Sequence, residues 1–315
     1  MEYVFGPVNS RRLGKSLGID TIPLKTCNWN CVYCQLGRTR RLTVERRDYF
    51  PRHEILAEVE RALRTHPPGE IDWVTFVGSG EPTLHSGIGW LIREVKQITP
   101  LPVAVITNGA LLYSPLVRQE LLAADAVLPS LDAGEALLYR RINRPHPTLK
   151  FESIVEGLHA FRREYAGLLW IEVMLVSGMN DTPQALQQIA GVLEKIYPDQ
   201  VHLNQPVRPP AEAWVQPPEA QDLLNAADIL GNVARVVPPA GKPFDLLEGG
   251  DLAASILSII SRHPVCESEL AGSFQGRKLE MVIEALDALR ESGQAQVVER
   301  YGRRYWSAAS AAYAG

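Results

Sequence analysis

Lys25-Thr26-Cys27-Asn28-Trp29-Asn30-Cys31-Val32-Tyr33-Cys34 gathers three of the chain's four cysteines in the spacing C-x3-C-x2-C, and the fourth, Cys266, stands far off. A disulfide framework uses cysteines in even numbers in an oxidising compartment, and neither is indicated here. So close a trio reads as a metal or cluster site. Thiolates are soft ligands suited to iron–sulfur clusters, and three of them hold three irons of a 4Fe-4S cluster. The fourth iron then has no cysteine, and an open coordination position marks a catalytic centre more than a structural one. A zinc ribbon would need a second pair of ligands, and none of the seven histidines lies within the trio. Zinc and unligated structural thiols remain the alternatives.

Outward from this segment the chain alternates short apolar runs with longer amphipathic ones. Strand-like runs occur at Leu17–Ile22, Ile71–Val77, Val103–Thr107, Ala126–Leu131, Leu169–Val176 and Gln200–Asn204. Their β-branched content and Gly, Pro or Asn boundaries favour strand over buried helix. Helical patterns lie between them at Glu54–Arg64, Ile88–Ile98, Pro115–Ala123, Phe151–Tyr165, Thr182–Ile196 and Glu219–Leu230. Asp181 or Thr182 suits an N-cap, with Pro183 in the first turn. This rhythm is α/β, a parallel sheet covered by helices. Periodicity alone leaves open a partial (β/α)6 TIM-like barrel or a doubly wound sheet. The cysteine segment follows the first run and so occupies a loop at the carboxyl edge of the sheet.

Pro238-Pro239-Ala240-Gly241-Lys242-Pro243 and Gly249-Gly250 then read as a linker. Beyond it come a helix at Leu252–Arg262, a short Glu267–Ala271 segment and a long helix from Arg277 to Ser292. Ala295–Glu299 and Arg303–Trp306 flank Tyr301-Gly302 as a hairpin. That order is a C-terminal winged helix-turn-helix. The expected organisation is 1–245 barrel, 246–307 winged helix and 308–315 frayed tail.

A length of 315 residues fits about two domains, and 46% hydrophobic with 22% charged residues excludes disorder and collagen-like repeats. No apolar run approaches the ~20 residues of a membrane span, since Glu172 breaks Leu168–Val176. Met1-Glu2-Tyr3-Val4-Phe5 lacks the features of a secretion signal, so a cytoplasmic location is expected. The net charge of -4 hides an asymmetry. Nine Lys and Arg against three acids leave residues 1–47 at +6, and the remainder carries -10. Basic charge around the cysteines suits an anionic ligand, against a solvated loop whose arginines pair with acids elsewhere.

C-x3-C-x2-C with Tyr33 before the last cysteine resembles the radical S-adenosylmethionine (SAM) enzymes. Other strand-end loops match in order. Gly78-Ser79-Gly80-Glu81-Pro82-Thr83 looks like that family's Gly-Gly-Glu-Pro loop, with Ser for the first Gly. Thr107-Asn108-Gly109 and Ser130-Leu131-Asp132 follow the next two strands. The resemblance covers roughly residues 10–210. Within the superfamily the chain is similar to the subgroup of the wyosine-forming tRNA enzymes. The residues behind this are Gly80 to Leu84, Thr107-Asn108-Gly109, Ser130 to Ala133, Ile142-Asn143-Arg144-Pro145 and Val176 through Asn180-Asp181. The additional cluster cysteines of the wyosine enzyme have no counterpart here.

The resemblance implies a 4Fe-4S cluster on Cys27, Cys31 and Cys34, with SAM on the open iron. Reductive cleavage would give a 5′-deoxyadenosyl radical that abstracts hydrogen from substrate. Backbone groups of Ser79, Gly80 and Glu81 would receive the methionine ammonium. Thr107, Asn108 and Ser130 suit ribose and carboxylate. Tyr33, Met174 and Val176 would hold the adenine, and Asn204 adenine or ribose. Arg11, Arg12, Arg38, Arg144 and Arg208 are expected to contact an anionic substrate, because arginine recognises phosphate and carboxylate bidentately. RNA is expected ahead of a peptide or protein recruited by the winged helix. The basic footprint of a nucleic-acid binder is missing beyond Gly249, with seven Lys or Arg against eight acids. An electron donor of the flavodoxin or ferredoxin type is implied. The competing reading is an iron–sulfur sensor whose winged helix binds DNA, and such a sensor has no need of the Gly80-Glu81 and Thr107-Asn108 machinery.

Overall fold

The six strand-like runs correspond to strands of one eight-stranded sheet. The structure, a computed structural model, describes residues 3–238, 251–267, 269–270 and 279–314. An antiparallel hairpin of β1 (Val4–Ser10) and β2 (Gly14–Ile19) begins the sheet. Then β3 (Trp73–Phe76), β4 (Val103–Thr107), β5 (Ala126–Pro129), β6 (Leu168–Met174), β7 (Gln200–Asn204) and β8 (Ala234–Val236) add in parallel. The strand order follows the sequence with no reversal. A doubly wound sheet must reverse at a switch point, so the sequential order selects the partial barrel.

The helices are α1 (Arg52–Thr65), α2 (Ile88–Ile98), α3 (Pro115–Leu121), α4 (Ala136–Ile142), α5 (Phe151–Glu164), α6 (Pro183–Ile196) and α7 (Ala220–Leu230). Thr182 caps α6 by accepting from the Ala185 N–H, with Pro183 in the first turn. Alternate strand residues separate two layers. Val103 and Val105 join the large core beneath the helices, where α2 contributes Ile88, Leu91, Ile92 and Val95. Each such aliphatic side chain contributes about 1.5–3 kcal/mol on burial. Ala104 and Ala126 face the other way with Leu13 and Leu128 in a small cluster. Small residues there, and the Ser16–Thr75 hydroxyl pair at 2.6 Å, leave the barrel interior room for ligands.

β1, β8 and α4 carry no clear sequence signal. Gly6-Pro7 interrupts β1, and its register shifts between Phe5 and Val8, as an edge strand tolerates. The first two N–H groups of the barrel's edge, at Tyr3 and Val4, donate to the buried Glu58 carboxylate of α1.

The C-terminal region contains α8 (Leu252–Ile260), α9 (Leu279–Glu291) and an antiparallel hairpin of β9 (Ala295–Arg300) and β10 (Arg303–Ala308). It has its own core of Ile256, Ile260, Val265, Val282, Leu286 and Trp306. The expected linker beyond Pro238, and the boundary at 245, lie outside the described residues, as does most of the segment between Glu267 and Arg277.

The tail requires a correction. Expected to fray, residues 309–314 instead run back onto the barrel. Ala312 pairs with Gly37, its carbonyl accepts from the Arg38 N–H at 2.6 Å, and Ala314 donates to Ala211 at 2.8 Å. Tyr313 donates its hydroxyl to the Gln35 carbonyl at 2.7 Å. The small side chains let this backbone approach where larger ones could not.

Candidate active site

The cysteine segment lies between β2 and α1 without regular secondary structure, and neighbouring loops hold its backbone. Val32 N donates to Ile142 O at 2.9 Å, and Asn30 N to Asn143 O at 3.0 Å. Trp29 is buried and packs edge-on against Tyr139 of α4. Thr26 O accepts from Glu81 N, and Lys25 N donates to Ser79 O. The loops after β3 and β5 therefore fix the thiols.

All three thiols are free and partly buried, and they line one cavity of about 290 Å³. Each sulfur has a nitrogen donor. Trp29 N is 3.4 Å from Cys27 Sγ, and Asn108 Nδ2 is 3.8 Å away. Asn143 Nδ2 lies 3.8 Å from Cys31 Sγ, and Lys25 Nζ lies 3.1 Å from Cys34 Sγ. Burial, reinforced by Glu81, pushes the Cys27 thiol up to about 12, and burial with the neighbouring sulfurs raises Cys31 well above its ordinary value. Burial opposes the Lys25 ammonium, but the sulfurs of Cys34, Cys27 and Cys31 outweigh it and raise its pKa. Such thiols ionise when a metal centre compensates the charge.

Three soft donors, each supplied with N–H groups, fit a cluster. Asn28 Nδ2 beside them is buried without a partner. Among the described residues no three His, Cys, Asp or Glu side chains are arranged to hold a single metal ion. Thiolates on three different irons need not converge on one point.

The loop after β3 is built around Glu81. Its buried carboxylate accepts from Thr83 N (2.9 Å), Thr83 Oγ1 (2.5 Å), Thr107 Oγ1 (2.6 Å) and Asn108 N (2.7 Å). Burial raises its pKa, against these hydrogen bonds. The side chain thus joins the β3 and β4 loops. A Cβ at Gly80 would collide with the Thr26 carbonyl, so glycine there serves the approach of the cysteine segment. Asn108 donates to Asn28 Oδ1 at 2.6 Å. Ser79 is held by Asp20, which accepts from its N–H and from its hydroxyl at 2.6 Å.

Tyr33, Ser79, Gly80, Glu81, Thr107, Asn108, Ser130 and Met174 all border the cavity with the cysteines. Val176 and Asn204 are not on its lining. Val176 is fully buried, and its N–H donates to Asn180; Asn204 Oδ1 accepts from Arg12 Nη1 at 3.3 Å. Tyr33 donates to Asp132, whose carboxylate also takes Asn143 Nδ2 and Met174 N. Burial raises Asp132 to about 6 against those bonds.

The five arginines do not form one surface. Arg11, Arg12 and Arg208 border a second cavity of about 690 Å³ that adjoins the first. Arg12 is paired with Glu172 at 2.7 Å and Arg208 with Glu269 at 3.3 Å. Arg38 and Arg144 lie elsewhere, both bound to the buried carboxylate of Glu212 at 2.7 and 2.5 Å. This clamp also holds the cysteine segment, since the Glu212 N–H bonds Val32 O, and Arg38 borders an outer cavity. Sequence reasoning missed Glu212, Asp20, Lys25, Arg262 and His263. Only Lys25 and Asp20 had a signal, one two residues before the first cysteine and the other just past β2. Arg262 and His263 come from the C-terminal region: Arg262 pairs with Asp20 at 3.5 Å, and His263 bonds Gln35.

A parallel partial barrel with three thiols and four polar loops at its carboxyl edge defines a cluster-dependent enzyme class. Residues 21–188 match the family model described as the Radical SAM superfamily, and the chain belongs to that superfamily. Within it, the chain is 36% identical over 273 residues to a UPF0026 protein of Methanocaldococcus jannaschii, covering 85% of this chain and 84% of that one. It is also 48% identical over 200 residues to a protein named GTPase Obg from Brachyspira hyodysenteriae, covering 64% of this chain and 29% of that protein. A GTP 3′,8-cyclase of Lactiplantibacillus plantarum is 26% identical over 161 residues, 49% of this chain and 44% of that one. Among solved structures, a radical SAM methyltransferase from Sphaerobacter thermophilus shares the fold. Its TM-score is 0.53 at 19% identity, covering 70% of this chain and 66% of that one. The chain is an enzyme whose cofactors are a 4Fe-4S cluster and SAM, and radical SAM enzymes require a reductant. Among the described residues no helix is long and apolar enough to cross a membrane.

Proposed function

We propose that Cys27, Cys31 and Cys34 hold the cluster and that the adjoining cavity binds SAM for hydrogen abstraction from an anionic substrate. The observation that carries this reading is the grouping of three donor-supplied thiols with the loops of Ser79, Thr107, Asn108 and Ser130 around one cavity. When bound, the cluster and SAM supply the 5′-deoxyadenosyl radical, while the protein binds, orients and excludes side reactions. Lys25, Asn108 and Asn143 support the thiolates. Glu81 fixes the geometry of two loops, and Tyr33 and Met174 wall the SAM cavity. The C-terminal helices and hairpin occur in the order of a winged helix, and we assign that architecture to them.

Anaerobic reconstitution, reduction by dithionite and addition of SAM should yield 5′-deoxyadenosine above a Cys31→Ala control. Equal yields from both proteins would remove the reading.

RNA is the second substrate reading. It is favoured by the wyosine-like motifs and by the exposed Arg40, Arg41 and Arg47 around an outer basic cavity of about 890 Å³. Filter binding of bulk tRNA across a salt series tests it, since phosphate contacts give a steep salt dependence. The inner cavity favours a smaller substrate, as argued next.

A further inference from the structure

The 690 Å³ cavity is built by both parts of the chain. The β1–β2 hairpin supplies Phe5, Asn9, Arg11 and Arg12, the segment after β7 supplies Gln205 and Arg208, and the C-terminal region supplies Glu269, Tyr301, Arg303 and Tyr305. It meets the cavity of the cysteines at Phe5, Arg11, Val77, Ile106, Gln205 and Arg208, among the residues that border both. A ligand here is therefore adjacent to the SAM site. The volume suits a small molecule.

Charge narrows the choice. Glu172 pairs with Arg12 and Glu269 with Arg208. Arg11 and Arg303 make no ion pair within 4 Å among the described residues, although both border the cavity. Among the described residues Arg11 donates one long hydrogen bond, to Pro238 O at 3.3 Å. Burial, and then Arg12 beside it, lower its pKa to about 10 despite Glu172, with Arg208 adding repulsion. Arg12 Nε, a further donor at this wall, is buried without a partner. Two guanidiniums without an ion-pair partner among the described residues, and a spare N–H, call for close to two negative charges. A phosphate monoester carries about -1.5 to -2 at neutral pH with three strong acceptor oxygens. A carboxylate carries one. Phe5, Val8, Ile106 and Val207 give the same cavity an apolar wall for an organic body.

We infer that this cavity binds the substrate as a small phosphomonoester, with Arg11 and Arg303 on its phosphate. The C-terminal hairpin, through Arg303, is then part of the substrate site. This rests on the radical SAM reading only for the identity of the neighbouring cavity. Phosphate binding needs no SAM cleavage, so failure of the two readings is separable.

The test is calorimetric titration of the anaerobically reconstituted full chain, with SAM present and no reductant. The probes are ribose 5-phosphate, with ribose and bulk tRNA as comparisons. One equivalent of ribose 5-phosphate should bind, and ribose should not. Arg11→Met and Arg303→Met should each weaken binding at least tenfold, whereas Arg41→Met in the outer cavity should leave it unchanged, and Arg303→Met should leave SAM affinity unchanged. Arg303 is exposed on the hairpin, so Arg303→Glu gives a variant that tests charge with little risk to folding. Failure of ribose 5-phosphate to saturate would overturn the inference. So would equal weakening by Arg41→Met, or a loss of SAM affinity in the Arg303 variants. Binding of tRNA that ribose 5-phosphate does not displace, and that depends on Arg41, would assign the site to RNA instead.

Discussion

Glu81 is the residue on which the candidate SAM loops turn. Four donors converge on a carboxylate with 1% exposure, so removing it leaves them facing a void. Glu81→Ala is expected to cost about 3 kcal/mol, the scale of leaving buried donors unsatisfied. Urea unfolding reads the loss, and weaker SAM binding should accompany it because Asn108 loses its anchor. Lys25 acts on charge more than on shape. Replacing its ammonium, 3.1 Å from Cys34 Sγ, by methionine removes a positive charge beside the thiolates. Lys25→Met should lower the reduction potential of the reconstituted cluster by on the order of tens of millivolts, read by redox titration with EPR, since net charge and bonds to sulfur set that potential. An unchanged potential would leave Lys25 a packing role. At this scale the site was legible where its residues are close in sequence. The cysteines announce themselves by spacing, and Ser79 to Glu81 and Thr107-Asn108 by their resemblance to the strand-end loops of radical SAM enzymes. The inward direction of the Glu81 side chain does not, because it depends on donors from two loops.

Strands β6 and β7 show how an element carries a pH dependence. His202 on β7 is 5% exposed, and Trp170 of β6 lies 5.3 Å from its ring. Burial first, and then Arg12, bring its pKa down to about 4. The unfolded chain protonates this imidazole near its ordinary value of 6.5, whereas the folded chain resists until about pH 4. Above pH 6.5 both states are neutral and the residue adds no pH dependence. Between 6.5 and 4 the unfolded state binds more protons, so stability falls as pH falls. His202→Gln should flatten that part of a thermal-melting profile, and an unaltered slope would assign the dependence elsewhere. The same scale explains which elements were readable. Continuous apolar runs such as Val103–Thr107 mark the buried parallel strands. The edge strand β1 hides behind Gly6-Pro7, and β8 has only three residues, Ala234–Val236.

Across the whole molecule, the C-terminal region is a working part of the barrel. Arg262 reaches Asp20 and Phe5, His263 meets Gln35, and Tyr305 donates to Val207 O. These contacts join segments more than two hundred residues apart, or nearly a hundred for Tyr305, and no local pattern encodes them. That is why the barrel could be read from sequence and the roof of its cavity could not. The tail contributes at the same scale. Truncation after Ala308 removes the strand-like pairing at Gly37 and the Tyr313 contact with Gln35. The truncated protein should retain less iron per chain after reconstitution and desalting, with little change in far-ultraviolet circular dichroism. Equal iron retention would show that the tail does not brace the cysteine loop.

The Gly37–Ala312 pairing also orders events in time. The two residues are about 275 apart, so at the usual synthesis rate of about 5–20 residues per second the second emerges roughly 15–55 s after the first. Throughout that interval the nascent cysteine loop lacks its brace and its roof. Insertion of a cluster into the finished geometry is thus a late step of biogenesis, following the emergence of the last residues.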